Sequence, residues 1–145
     1  MGDRLRTFYI FKMRKEFVSL YRDNPSSLYS VLKHLYYMKR SEAKIGIALY
    51  NQLTEKINKI AMDRKIFIAY HKELVYSKND NDHVINNLYK DEVSILNIKK
   101  AYILITTNKN YSSFFNILSK FGEEYFVCDF IHEDYFWIND IKILV

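Results

Sequence analysis

The spacing of hydrophobic positions along this chain changes period, dividing it into a mainly helical first half and a mainly extended second half. From Thr7 to Met13 apolar residues occupy both parities, with Phe8 and Ile10 on one side and Tyr9, Phe11 and Met13 on the other. A strand that is apolar on both faces belongs inside a sheet covered on both sides. A short helix is expected over Arg14–Tyr21, where Phe17 and Tyr21 stand four residues apart and share a face. Asn24 is a capping residue, and Pro25 suits the first helical position because its missing N–H would be unpaired there anyway. Leu28, Val31, Leu32, Leu35 and Tyr36 then repeat at the spacing of an amphipathic helix. A third helix is expected from a cap at Ser41 to near Met62. It would bury Ile45, Leu49, Leu53, Ile57 and Ile60, with Asn51, Gln52, Glu55 and Lys56 pointing elsewhere.

Beyond Met62 the pattern reads as extended. Lys65–Tyr70 alternates Ile66, Ile68 and Tyr70 against Phe67 and Ala69, a strand pattern with which Leu74–Tyr76 could pair. Lys78–Asp82 is a polar, flexible loop, and His83–Leu88 fits neither period. Val93–Ile98 and Ala101–Thr106 flank Lys99 and Lys100 as a hairpin. Asn110 is expected to cap a helix over Tyr111–Phe121, with Gly122 placed for a left-handed C-terminal cap. Tyr125–Phe130 and Tyr135–Ile138 complete the strands. This order predicts a single α+β domain over residues 1–145, with one mostly antiparallel or mixed sheet and about four helices packed on it. The first strand, cut off from its partners by the helices, is placed centrally or joined in parallel.

Composition supports a packed domain: of 145 residues 49% are hydrophobic, 13 are Tyr and 10 Phe, and only 3 Gly and 1 Pro interrupt them. The net charge of +5 raises the alternative of a small basic nucleic-acid-binding module. Against it, basic residues sit beside acidic ones in Lys15-Glu16, Glu55-Lys56 and Lys90-Asp91, so no direct nucleic-acid partner is expected. The single cysteine, Cys128, lies in an apolar run and suits a reducing, cytoplasmic setting. No apolar run approaches the roughly 18 residues that span a bilayer, so no membrane partner is expected. The opening Met1-Gly2-Asp3-Arg4-Leu5-Arg6 has neither a signal core nor, with Arg6 in place of Ser or Thr, an acylation motif.

Catalytic signatures are weak. Gly2, Gly46 and Gly122 are isolated, so no phosphate-binding glycine loop is possible. His34, His71, His83 and His132 lack metal-ligand spacing, and neither metal nor cofactor is proposed. Cys128 in a hydrophobic strand makes a poor nucleophile. The acids Glu123, Glu124, Asp129, Glu133 and Asp134 read as solvated loop groups beside a strand end, which leaves a small hydrolase as a distant alternative. Phe17 and Tyr21 are different, because an eight-residue helix has little room to bury two aromatics. Rings left on a rigid helix are typical anchors of a protein interface.

Three segments resemble one family. Phe8–Tyr21 is similar to the N-terminal strand and helix of the SirA family, sporulation inhibitors of replication, with its aromatic strand followed by E-F-x-x-x-Y at Glu16, Phe17 and Tyr21. Asp129-Phe130 with Tyr135, Trp137, Ile138 and Asn139 resembles the family's D-F-x-x-x-x-Y-x-W-L-N, and Phe114–Lys120 its F-F-E-V-L-K-K helix. The stretch from Ser41 to Asp91 matches only in pattern. The resemblance implies a non-catalytic inhibitor that binds the N-terminal domain (domain I) of the replication initiator DnaA, as a monomer and one-to-one. It carries the family's first-helix Phe and Tyr onto Phe17 and Tyr21. The Gln of its later helix falls on Gln52, with Asn51 and Glu55 sharing the position, and Glu55 stands where the family has an aromatic.

Overall fold

The computed structural model describes residues 5–140, so the readings made on Met1, Gly2, Asp3 and Arg4 fall outside it. One antiparallel sheet contains seven strands: β1 (Arg6–Lys12), β2 (Tyr76–Asn79), β3 (Asp82–Asn87), β4 (Glu92–Ile98), β5 (Ile103–Thr107), β6 (Tyr125–Asp129) and β7 (Asp134–Trp137). Their order is β2-β3-β4-β5-β1-β6-β7. β1 is therefore central, as its two apolar faces require. It pairs Phe8 with Ile105 on one side and Tyr9 with Cys128 on the other, antiparallel to both neighbours.

Helices cover both faces. α1 (Lys15–Tyr21), α2 (Pro25–Tyr36) and α3 (Ala43–Leu53) lie on one face, and α4 (Lys59–Tyr70) and α5 (Ser113–Ser119) on the other. The alternation of β1 divides the core accordingly. Phe8 and Ile10 join Tyr125, Val127, Met62 of α4 and Phe114 of α5. Phe11 and Met13 join Phe126, Trp137, Leu28 of α2 and Leu53 of α3. Burying each such side chain contributes about 1.5–3 kcal/mol. Cys128 is buried in the second cluster, where burial pushes its thiol well above the ordinary value.

The first half departs from the expected helices in one place. The helix expected to run to Met62 ends at Leu53, where Thr54 turns extended and bridges to Met13. The next residues are stitched across the end of the sheet. The Glu55 N–H donates to the Lys12 carbonyl at 2.8 Å, and the Ile57 N–H donates to the Lys100 carbonyl at 2.8 Å. This link carries the chain to the opposite face, so Ile57 is buried in the other core, while Ile45, Leu49 and Ile60 are exposed rather than buried. Lys65–Tyr70, expected as a strand, is the second half of α4. That helix starts at Asn58, whose side-chain Oδ1 accepts from the Ala61 N–H at 3.1 Å. It buries Met62 and Ile66, with Tyr70 half-buried one turn later.

Smaller corrections follow the same logic. The supposed loop over Lys78–Asp82 is a hairpin turn joining β2 to β3, with Asp80 at φ 52°. β3 resolves the ambiguous His83–Leu88 segment. The last helix is capped by Ser112, not Asn110, and Gly122 does adopt a left-handed φ of 76°. Asn24 stands at the cap position of α2, but its Oδ1 accepts from the Ser26 hydroxyl, not from a backbone N–H.

A buried relay fastens α4 to the β2–β3 hairpin. His83 is fully buried between Asp63, 2.7 Å from its Nε2, and the Tyr76 hydroxyl, 2.7 Å from its Nδ1. A carboxylate only accepts, so Nε2–H donates to Asp63 and Nδ1 accepts from Tyr76. Burial lowers the His83 pKa below the ordinary 6.5, and Asp63 opposes that shift without cancelling it. Below pH 6.5 the unfolded chain therefore binds a proton that the folded chain refuses, so stability rises with pH across that window. Urea midpoints are expected to fall as pH drops from about 7 to about 5, and His83→Gln is expected to flatten that slope. An equally steep slope in the variant would assign it to another group.

Candidate functional site

The junction of β1 with α1 determines what α1 can present. The Arg14 N–H donates to the Leu53 carbonyl at 2.9 Å, and Arg14 Nε donates to the Asn51 carbonyl at 3.0 Å. These bonds tie the start of α1, which carries Phe17 and Tyr21, to the end of α3, where Asn51 and Gln52 lie with Glu55 just beyond. Within α1, Val18 points into the core, and Phe17 and Tyr21 are half-buried against the same cluster. The two rings are thus neither bare nor sequestered: one side packs on the fold and the other faces solvent. Leu20, one turn after Phe17 and 65% exposed, continues the apolar surface outward.

On α3 the inward residues are Gly46 and Leu53, with Tyr50 half-buried. That choice leaves Ile45, Ala48, Leu49 and Gln52 at i, i+3, i+4 and i+7 on the solvent side, with Ile45 73% exposed. Hydropathy spacing detects this stripe but assigns it to the core, since only tertiary context says which of two apolar faces is buried. Leu20 carried no signal of its own. Asn51 and Gln52 are exposed, whereas Glu55 is partly buried, 4.0 Å from Lys12, which also lies 3.6 Å from Glu123. An aromatic there would extend the apolar surface; a glutamate offers charge at its rim instead.

Behind this surface a groove of about 330 Å³ opens between α2, α3 and the sheet, walled by Tyr9, Tyr36, Met38, Ile47, Tyr50 and Tyr102. Its lining is largely apolar, and burial raises the pKa of two of its phenols, Tyr9 and Tyr50, above the ordinary 10. Among the described residues no group of three or more His, Cys, Asp or Glu is placed to hold a metal ion. No helix among them is long and apolar enough to cross a membrane.

The acids near the C-terminus do structural work. Asp129 is fully buried and accepts from Arg6 Nε at 2.8 Å, His132 Nδ1 at 2.8 Å and the backbone N–H groups of Ile131 and His132, both at 3.1 Å. Burial alone would raise the Asp129 pKa, but the Arg6 and His132 bonds outweigh it and hold the carboxyl below the usual range. Arg22 forks onto Glu124 at 2.9 and 2.8 Å while lying 5.1 Å over the Trp137 ring. Asp129 and Trp137 thus hold the C-terminal strands in the fold, with Trp137 in the cluster that also backs Phe17 and Tyr21.

The family model described as "Sporulation inhibitor of replication protein SirA" matches residues 6–142 of the chain. No curated protein matches it.

Proposed function

The chain belongs to the SirA family, and from that premise we propose that it inhibits replication by binding domain I of the initiator DnaA, one-to-one, through the surface of α1 and the outer side of α3. The observation that supports this reading is the apolar side chains left outside the core on both helices, Leu20 beside the half-buried Phe17 and Tyr21 on α1 and Ile45 and Leu49 on α3, with polar Asn51 and Gln52 exposed and Glu55 partly so. An apolar centre within a polar rim is how protein interfaces are built. Both helices rest on a sheet and are pinned at Arg14, so little order has to be imposed on binding.

The mechanism is occlusion. A protein of this size covering a standard interface, roughly 1,200–2,000 Å² in total, blocks whatever else must dock on the same face of the partner. Inhibition then requires no reaction, only occupancy. The test is calorimetric titration of DnaA domain I into the purified chain. Saturable binding at one-to-one stoichiometry is expected, with Leu20→Ala and Gln52→Ala each weakening it by about 1–2 kcal/mol. No binding, or full affinity in both variants, would refute the assignment.

A further inference from the structure

Cations outnumber acids along α4 and its flanks. Lys56, Lys59, Arg64, Lys65 and Lys72 stand against Glu55, Asp63 and Glu73, so residues 55–73 carry a formal +2. This stretch is α4 with its flanks, and Asp63 is already engaged by Lys59 and His83 at 2.8 and 2.7 Å. The helix turns Met62 and Ile66 inward. Its outer side therefore presents Ile60, Arg64 and Ile68 at successive i+4 steps, with Ile60 83% and Ile68 59% exposed. Lys65 and Lys72 flank this row on one side and the partly exposed Phe67 on the other.

We propose that the outer face of α4 is a second docking site, which adsorbs the protein to an anionic lipid bilayer surface. A purely phosphate-binding face has no use for two protruding isoleucines in its middle, and a purely apolar protein contact has no use for the surrounding cations. A bilayer interface takes both, with cations at the headgroups and aliphatic side chains among the upper acyl segments. The helix is too short to span, and Met62 and Ile66 hold its inner side in the core, which leaves its outer side free to lie along a bilayer surface. The lack of a spanning run, which led to the expectation of no membrane partner, does not bear on surface adsorption. α4 packs in the Phe8–Ile10 core and α1–α3 in the Phe11–Met13 core, so this site and the DnaA-docking surface lie on opposite faces of the sheet.

The test is cosedimentation of the full chain with vesicles of phosphatidylcholine containing about one third phosphatidylglycerol, beside vesicles of phosphatidylcholine alone. Binding to the anionic vesicles only is expected. Arg64→Gln with Lys72→Gln should lower the partition coefficient roughly 25-fold, about fivefold per cation. Ile60→Ser with Ile68→Ser should lower it about tenfold or more. All four positions are exposed, and matching thermal melts would confirm that these variants fold. Phe17→Ala should leave vesicle binding intact, and the α4 variants should leave binding of DnaA domain I intact, so the two readings can fail separately. Equal partition into both vesicle types, or unchanged partition in both double variants, overturns the proposal. So does retention by duplex DNA, abolished by the Arg64 and Lys72 changes, in a chain that ignores vesicles; that result would make α4 a nucleic-acid surface.

Discussion

Asp129→Ala is expected to destabilise the protein by about 3–5 kcal/mol, enough to leave a domain of this size marginal. The carboxylate is fully buried and Arg6 is only 14% exposed at its side chain, so neither charge falls back on water when its partner is removed. The alanine variant would strand the guanidinium beside Asp134, 3.0 Å away and 44% exposed, and would leave the backbone N–H groups of Ile131 and His132 without their acceptor. Asp129→Asn should cost less, because the shape and one acceptor survive. The same carboxyl sets an acid limit. Its folded pKa lies below the ordinary 3.8, so its stabilising effect is fully present above the unfolded-state value and disappears as pH falls through the folded one. Urea unfolding at neutral and strongly acidic pH measures both effects. A loss under about 1 kcal/mol at neutral pH would show that the cluster is not what closes β6 and β7 onto β1.

Phe17→Ala or Tyr21→Ala is expected to weaken binding of DnaA domain I by about 2–4 kcal/mol, roughly 30- to 1,000-fold in Kd. Because each ring is half-buried against the Phe11–Trp137 cluster, each variant should also lose about 1–2 kcal/mol of stability, less than a full core truncation. The two quantities separate the roles. Weakened binding by a folded variant marks an anchor, while undiminished binding with a large stability loss marks a core residue. The more conservative Tyr21→Phe keeps the packing and reports the hydroxyl alone.

Much of the fold was legible from local pattern. β1 was placed centrally because both its parities are apolar, and its burial on both faces confirms that reading. The hairpin around Lys99 and Lys100 and the two C-terminal strands followed from alternation despite weak turn chemistry at the lysines, and the left-handed Gly122 followed from its place after the helix. The errors cluster between Ser41 and Tyr70, where both faces of α3 and α4 carry large aliphatics. Periodicity can locate a buried face only when the other face is polar. With Ile45, Leu49, Ile60 and Ile68 all outside, the hydropathy of α3 ran on past its true end, and the second half of α4 imitated a strand. The Asn58 cap and the 62–66–70 spacing were the local signals that marked α4 as a helix. The same misleading residues are the ones that compose the two proposed docking surfaces, because apolar side chains kept outside the core contradict the pattern that the core imposes.

The position of β1 also constrains the birth of the molecule. β1 precedes the other six strands along the chain, yet it is flanked by β5 and β6, which are made well after it. Its two aromatic faces and its backbone edges stay unpartnered until those strands have been made, so the middle of the sheet closes late. Such distant pairing favours folding over milliseconds to seconds and exposes the nascent protein to aggregation in the interval. A chain cut short anywhere before β6 would be left with an open, sticky seam down its middle.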